Sequence, residues 1–278
     1  MAINTAVVGK TYPTSTYEVT ADAIRRYAAA TNEDNPAFAG EDPVAPPAFP
    51  VVPARDIMSA ALFDPELEVN LARLVHGEED HVLHVPIRPG DVLTVEGHLE
   101  SVETKESGET FTVAAKLTNQ SGVTAAEIRS LFFVRGSGSR SKSAEEPAPE
   151  PEIAFSTVQT VDEDQTYRYA EASGDPNPIH TDPDFARNVA GLPGIILHGM
   201  ATMAFASKAV LDAVAGGDPA RLKRIKVRFS KPVFPGETLT TRGWVLDSAG
   251  GRTTYGFETL NTRGSAVLRN GLAEVLDA

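Results

Sequence analysis

The chain contains no cysteine among its 278 residues. Disulfide staples, thiolate metal ligands and cysteine nucleophiles are thereby excluded, and a reducing compartment such as the cytosol fits the composition. Long apolar runs are missing too: the most hydrophobic stretch, residues 194–210, is interrupted by His198 and Lys208 and is too short and too polar to span a membrane. Residues Met1 to Lys10 lack the basic region, apolar core and small-residue cleavage site of a secretion signal, so a cytoplasmic protein is expected. Positive charge is in deficit, with 25 Lys and Arg against 38 Asp and Glu and a formal net charge of −13. That balance favours solubility and argues against a nucleic-acid partner, which needs a basic footprint.

Against this background one segment reverses sign. Arg221, Lys223, Arg224, Lys226, Arg228 and Lys231 place six basic residues in eleven positions. Alternation puts Lys226 and Arg228 on one face of a strand and Ile225, Val227 and Phe229 on the other, which is ordinary half-buried behaviour. The second reading is a receptor for phosphates, with Lys223 and Arg228 as the candidate contacts.

The length suits one large or two ordinary domains, each able to bury a core. Residues 136–151 are rich in Gly, Ser, Pro and charge with almost no large apolar side chains, the composition of a solvated linker. The expected division is residues 1–136, a linker at 137–151, and residues 152–278. Each half runs in the same order: a helical pattern (21–31; 161–173) with Thr20 or Asp162 near its start as a cap, a loop carrying Asn-Pro, a second apolar helix (53–62; 199–214), then strands. The strands expected first are 82–85, 92–104, 110–119 and 124–134; later ones are 225–229, 239–246, 253–261 and 266–276. The loop Arg88-Pro89-Gly90-Asp91 recurs as Phe234-Pro235-Gly236-Glu237 at an offset of 146 residues. Such matched landmarks indicate an internal duplication. In the second helix Met200, Met203, Ala204, Ser207, Val210 and Leu211 form an apolar stripe that must lie on a sheet. The fold class is therefore α+β, two tandem curved antiparallel sheets each wrapped around a central helix.

The loops themselves carry the chemistry. Ser173-Gly174-Asp175-Pro176-Asn177-Pro178-Ile179-His180 sets an acid and an imidazole five positions apart across a rigid turn, a spacing able to grip one small molecule such as water. Its echo lies 142 residues earlier, Thr31-Asn32-Glu33-Asp34-Asn35-Pro36-Ala37-Phe38, where Glu33 stands for Asp175 and Phe38 for His180. Asn177 and Asn35 survive in both copies, which favours a role in fixing the loop over a contact to substrate. His198 reads either as a substrate contact or as packing beside the helix start. His76, His81 and His84 do not suggest a metal site, because residues 81 and 84 of a strand face opposite ways.

Tyr169 to His180, followed by Asp182-Pro183-Asp184-Phe185-Ala186 and Leu197-His198-Gly199-Met200, resembles the signature of MaoC-like (R)-specific enoyl-thioester hydratases. The likeness spans about 45 residues, the second half fits that family's hot-dog fold, and the first half, with His76-Gly77-Glu78-Glu79, resembles the degenerate N-terminal domain of its double hot-dog members. The resemblance implies reversible hydration of trans-2-enoyl thioesters to (R)-3-hydroxyacyl thioesters, with one water held by Asp175 and His180 and the backbone N–H of Gly199 as oxyanion donor. It implies no cofactor or metal beyond the coenzyme A or phosphopantetheine arm of the substrate, a first half that shapes the acyl tunnel, and a homodimer as one possible assembly. The chemistry agrees: hydration needs a base for water, an acid for C2 and a donor for the enolate oxygen. Two other readings stay open, a hot-dog acyl thioesterase and a non-catalytic acyl-thioester-binding protein.

Overall fold

The computed structural model describes residues 2–136 and 150–278; of the linker expected at 137–151, all but Glu150 and Pro151 lie outside the described residues. The first half comprises β1 (Ser15–Glu18), α1 (Ala21–Ala30), α2 (Val51–Leu62), β2 (Leu74–Leu83), β3 (Val92–Lys105), β4 (Gly108–Thr118) and β5 (Thr124–Arg135). The second comprises β6 (Phe155–Thr160), α3 (Gln165–Ser173), α4 (Pro183–Asn188), α5 (Gly199–Val214), β7 (Leu222–Phe229), β8 (Thr238–Ala249), β9 (Arg252–Leu260) and β10 (Ala266–Leu276). Strand order within the first half is β1-β3-β4-β5-β2, and within the second β6-β8-β9-β10-β7, so the halves repeat one topology. This is the double hot-dog arrangement, with the two sheets joined edge to edge.

The join is β2 against β7, antiparallel, which makes one ten-stranded sheet. Asp80 sits opposite Lys226, a separation of 146 residues that equals the offset of the repeated Pro-Gly turn, so a pseudo-twofold axis passes between these two residues. The helices obey the same symmetry. Helix α1 lies along α3, and Tyr27 and Tyr169, 142 residues apart, bring their buried hydroxyls to 3.4 Å.

Helix α2 packs on β3 and β4, so closely that a Cβ on Gly97 would lie 2.2 Å from Ile57 Cγ2. Helix α5 was expected to bury one stripe, yet Met200 through Ser207 and Ala209 through Leu211 are all buried. A helix enclosed on every side needs apolar residues all round, and its small residues let neighbours approach. Full burial of Met203, Val210 and Leu211 contributes about 2 kcal/mol each.

Local expectations held at Thr20, whose Oγ1 accepts the Ala23 N–H at 3.1 Å. They failed at Asp162. Val161 N–H still donates to Glu237 O at 2.9 Å, prolonging the pairing beyond β6, so α3 starts only at Gln165 and the Asp162 carboxylate turns to Arg168 instead of capping the helix. The strand expected at 82–85 is β2, longer and displaced toward the N-terminus, because β5 and β7 flank it on both edges. The short strands β1 and β6 and the single-turn α4 were not anticipated. Among the described residues no helix is long and apolar enough to cross a membrane.

The basic run is the β7 side of the seam. Arg224 holds Asp80 of β2 through two bonds, 2.9 and 2.7 Å, and reaches Glu274 at 3.3 Å. Lys226 and Arg228 approach Glu78 at 3.2 and 3.8 Å. Three of the six basic residues, Arg224, Lys226 and Arg228, thus face acids of β2 across the join. Replacing Arg224 by Met strands an almost buried Asp80; because the Arg224 side chain is 34% exposed, a cost of about 1–2 kcal/mol is expected after allowing for solvent screening. Urea unfolding of Arg224→Met checks this, and an unchanged midpoint would show that the seam charges do not hold the halves together.

Candidate active site

Helix α3 ends at Gly174 in the left-handed conformation, φ +70°, and a Cβ there would lie 2.9 Å from Arg55 Nη1, which reaches over from α2 of the other half. The chain then turns sharply. Asp175 Oδ1 accepts the Asn177 N–H at 3.1 Å, and Asn177 Oδ1 accepts the Ile179 N–H at 3.3 Å. These two consecutive side-chain turns convert Asp-Pro-Asn-Pro into a fixed loop that delivers His180 inward. Asn177 is itself exposed, so its observed work is loop geometry rather than a contact deep in the site.

His180 is buried and its Nδ1 lies 2.8 Å from Ile196 O. A carbonyl only accepts, so Nδ1 carries the proton and Nε2 keeps its lone pair. Burial holds the His180 pKa below the usual imidazole value, partly offset by the Ile196 bond and by Asp175. His198 is 2% exposed and occupies the N-cap position of α5. Its ring stacks on His180 with centroids 3.7 Å apart and planes 25° apart, its Nε2–H donates to the Asp175 backbone carbonyl at 3.3 Å, and its Nδ1 has no partner. Gly199 follows as the first residue of α5, so its N–H has no acceptor within the helix and is available to a ligand. Phe229 packs beside it, 3.2 Å from where a Cβ would stand.

One polar atom from each of Asp175, His180 and His198 lies within 4.8 Å of the others. The distances would admit a metal, but the directions do not: two nearly parallel stacked imidazoles send their lone pairs alongside one another rather than to a common point. Asp175 and His180, beside a free helix N-terminus, suit a water and a polarised oxygen.

The sequence candidates thus divide. Asp175, His180, His198 and Gly199 come together. Lys223 instead lines an apolar groove with Val44, Pro46, Pro47, Pro50 and Leu83, whose walls include none of the Asp175, His180 and His198 cluster. Arg228 is turned to Glu78. Both therefore lie outside the cluster formed by Asp175, His180 and His198. His76 and His81 both bond Glu79, each at 2.8 Å, and His84 approaches Glu127 at 3.7 Å. Sequence reading missed Arg55, for which a lone helical arginine gives no signal.

The echo keeps the loop and has lost the site. Glu33 Oε1 accepts the Asn35 N–H at 3.2 Å and Asn35 Oδ1 accepts the Ala37 N–H at 2.9 Å, reproducing the turns at Asp175 and Asn177. Phe38 is buried where His180 would stand. Glu33 is 4% exposed and faces Lys208 of α5 at 3.4 Å, a lysine that also binds Asp34 and Asp212. Burial raises the Glu33 pKa and Lys208 partly offsets it. At the start of α2, Pro50 and Val51 occupy the positions of His198 and Gly199.

Residues 144–265 match the family described as MaoC like domain, and residues 6–128 match the FAS1-like dehydratase domain region. The chain is 33% identical over 218 residues to 3-hydroxyacyl-thioester dehydratase Y of Mycobacterium tuberculosis, covering 74% of this chain and 73% of that protein. It is 32% identical over 239 residues to a probable enoyl-CoA hydratase 2 of Dictyostelium discoideum, covering 81% and 77%. A solved MaoC-like dehydratase from Phytophthora capsici superposes with a TM-score of 0.81 at 30% identity, over 99% of this chain and 98% of that one. With both halves matched and these relatives covered over more than two thirds of their length, the chain belongs to the MaoC-like dehydratase family.

Proposed function

We propose that this protein adds water reversibly across the C2–C3 double bond of trans-2-enoyl thioesters, giving (R)-3-hydroxyacyl thioesters. The observation that carries the reading is the convergence of Asp175 and His180 beside the free N–H of Gly199 at the start of α5. A water between them donates one O–H to the Asp175 carboxylate and the other to His180 Nε2, which leaves an oxygen lone pair for C3. As the C3–O bond forms, the pair takes one proton from the water and the π electrons move to the thioester oxygen, where the Gly199 N–H stabilises the enolate. The enolate then collapses and the pair returns the proton to C2, so one molecule of water is added. Dehydration runs the same steps backward, and no group outside substrate and chain is required.

The substrate is an acyl thioester of coenzyme A or of a carrier protein's phosphopantetheine arm, handled in the cytoplasm. One catalytic site per chain suffices, whether or not the chains pair as homodimers. A thioesterase would need an activated group aimed at the thioester carbonyl carbon, whereas in this reading Asp175 and His180 hold a water for attack at C3.

Asp175→Asn and His180→Ala should each lower hydration of crotonyl-CoA by about 10²–10⁴-fold, measured by loss of the enoyl chromophore, with chiral analysis of the product giving the (R) isomer. Parent-like rates in both variants would sink the reading, and release of free thiol without hydration would favour the thioesterase. Because burial lowers the His180 pKa, its neutral form persists into mildly acidic solution. The acid limb of kcat for hydration should accordingly fall below the ordinary imidazole value of 6.5. In an Asp175→Asn background, adding Glu33→Asp with Phe38→His should restore no activity, since the first N–H of α2, that of Val51, is directed to Ala48 O at 3.4 Å rather than left for a ligand. A regained rate would show a second competent site.

A further inference from the structure

His198 touches every component of the site at once. Its Nε2–H holds the backbone of Asp175, its ring covers one face of His180, and its own carbonyl accepts from Thr202 N–H and Oγ1, at 3.1 and 3.3 Å, in the first turn of the helix that begins with Gly199. Tyr169 of α3 packs against it with ring centroids 4.9 Å apart, tilted by 48°, and Tyr169 in turn meets Tyr27 of the other half. The titratable groups facing His198 are therefore Asp175, His180 and Tyr169.

The duplicated half supplies an internal comparison. Asn35 is retained there and still makes the loop turn, whereas the acid, the imidazole and the residue at the N-cap of the central helix are all replaced, by Glu33, Phe38 and Pro50. His198 sorts with the chemistry, not with the loop. The Pro50 position makes no side-chain cap, and neither does His198, so capping does not explain a histidine here.

We propose that His198 is a positioning residue: as a neutral ring, it ties the Asp175 loop, the face of His180 and the oxyanion end of α5 into one rigid unit. The neutral form is favoured, because burial and then the neighbouring His180 push its pKa well below the usual imidazole value. A neutral partner matters, since His180 becomes positively charged when it takes the water's proton, and a second cation stacked on it would oppose that step. The ring also keeps bulk water off one face of His180, sustaining the burial that lowers its pKa. The proposal rests on the hydratase reading above.

The test compares His198→Phe, which keeps a stacking ring without the donor, with His198→Gln, which keeps a donor without the stack. Crotonyl-CoA kinetics and the pH profile are measured for each. Both should fold as the parent does and lose about 10–100-fold in kcat with KM little changed, the loss typical of a supporting hydrogen bond behind a functional group. In His198→Gln, removal of the stacked ring resolvates His180, raises its pKa and moves the acid limb of hydration to higher pH. Parent-like kcat in both variants, or a rise in KM alone, would overturn the proposal, the latter by making His198 a substrate contact. Should both variants misfold, His198→Asn supplies the donor without the stack and His198→Tyr a stacking ring without the imidazole, read by the same kinetics. Asp175→Asn and His180→Ala serve as controls: if they are active, the hydratase reading fails first; if they are dead while the His198 variants are not, only this inference fails.

Discussion

The antiparallel pairing of β2 with β7 is the constraint on which the rest of the molecule depends. The sheet of each hot-dog half ends on one side at β2 or β7, and an unpaired edge invites association with whatever strand is nearby. Here the two edges close on each other, with acids of β2 facing basic residues of β7. Deeper in the seam, fully buried Glu79 accepts from both His76 and His81. Burial opposes its charge, but the two imidazole bonds outweigh that effect and hold the carboxyl down to about 2. His76 then packs on Phe132 and on Phe229, the ring that lies against Gly199. The join between halves and the oxyanion end of the site thus share one packed path.

Because the join fixes the halves by a twofold relation, each central helix is set against the other half's loop. Arg55 of α2 lies on the working loop at Gly174, and Lys208 of α5 lies on the retired loop at Glu33. Asn35 Nδ2 adds a bond of 2.6 Å to Gly217 O, just past the end of α5. A loop that no longer does chemistry still braces the helix whose first N–H does.

How far the sequence discloses this depends on the range of the interactions. The Asp175 loop, the Thr20 cap, the span of α5 and the turns around Gly90 and Gly236 follow from side chains acting within a few residues of themselves. The purpose of the basic run does not, because its partners Glu78 and Asp80 lie about 146 residues away on another strand. The late start of α3 turns on Val161 keeping a bond to Glu237, which no local pattern records. His198 stays ambiguous in sequence for the same reason: its stacking on His180 exists only once Ile196 and the loop have folded together. The helix α5 looked one-sided because residues such as Ala201, Thr202 and Ala206 do not announce burial, although β6, β7, β8 and β10 pack against it.

The ion pair between Glu33 and Lys208 also makes the two loops non-interchangeable. A catalytic acid must face a ligand, whereas Glu33 neutralises a lysine whose side chain is only 12% exposed. Returning that acid to chemistry would strip a partner from a half-buried cation, and changing the lysine first would leave a buried acid alone. Either single step costs stability before any activity is regained. The asymmetry between the halves is therefore held in place by packing: the first loop's acid is committed to the lysine of the neighbouring helix.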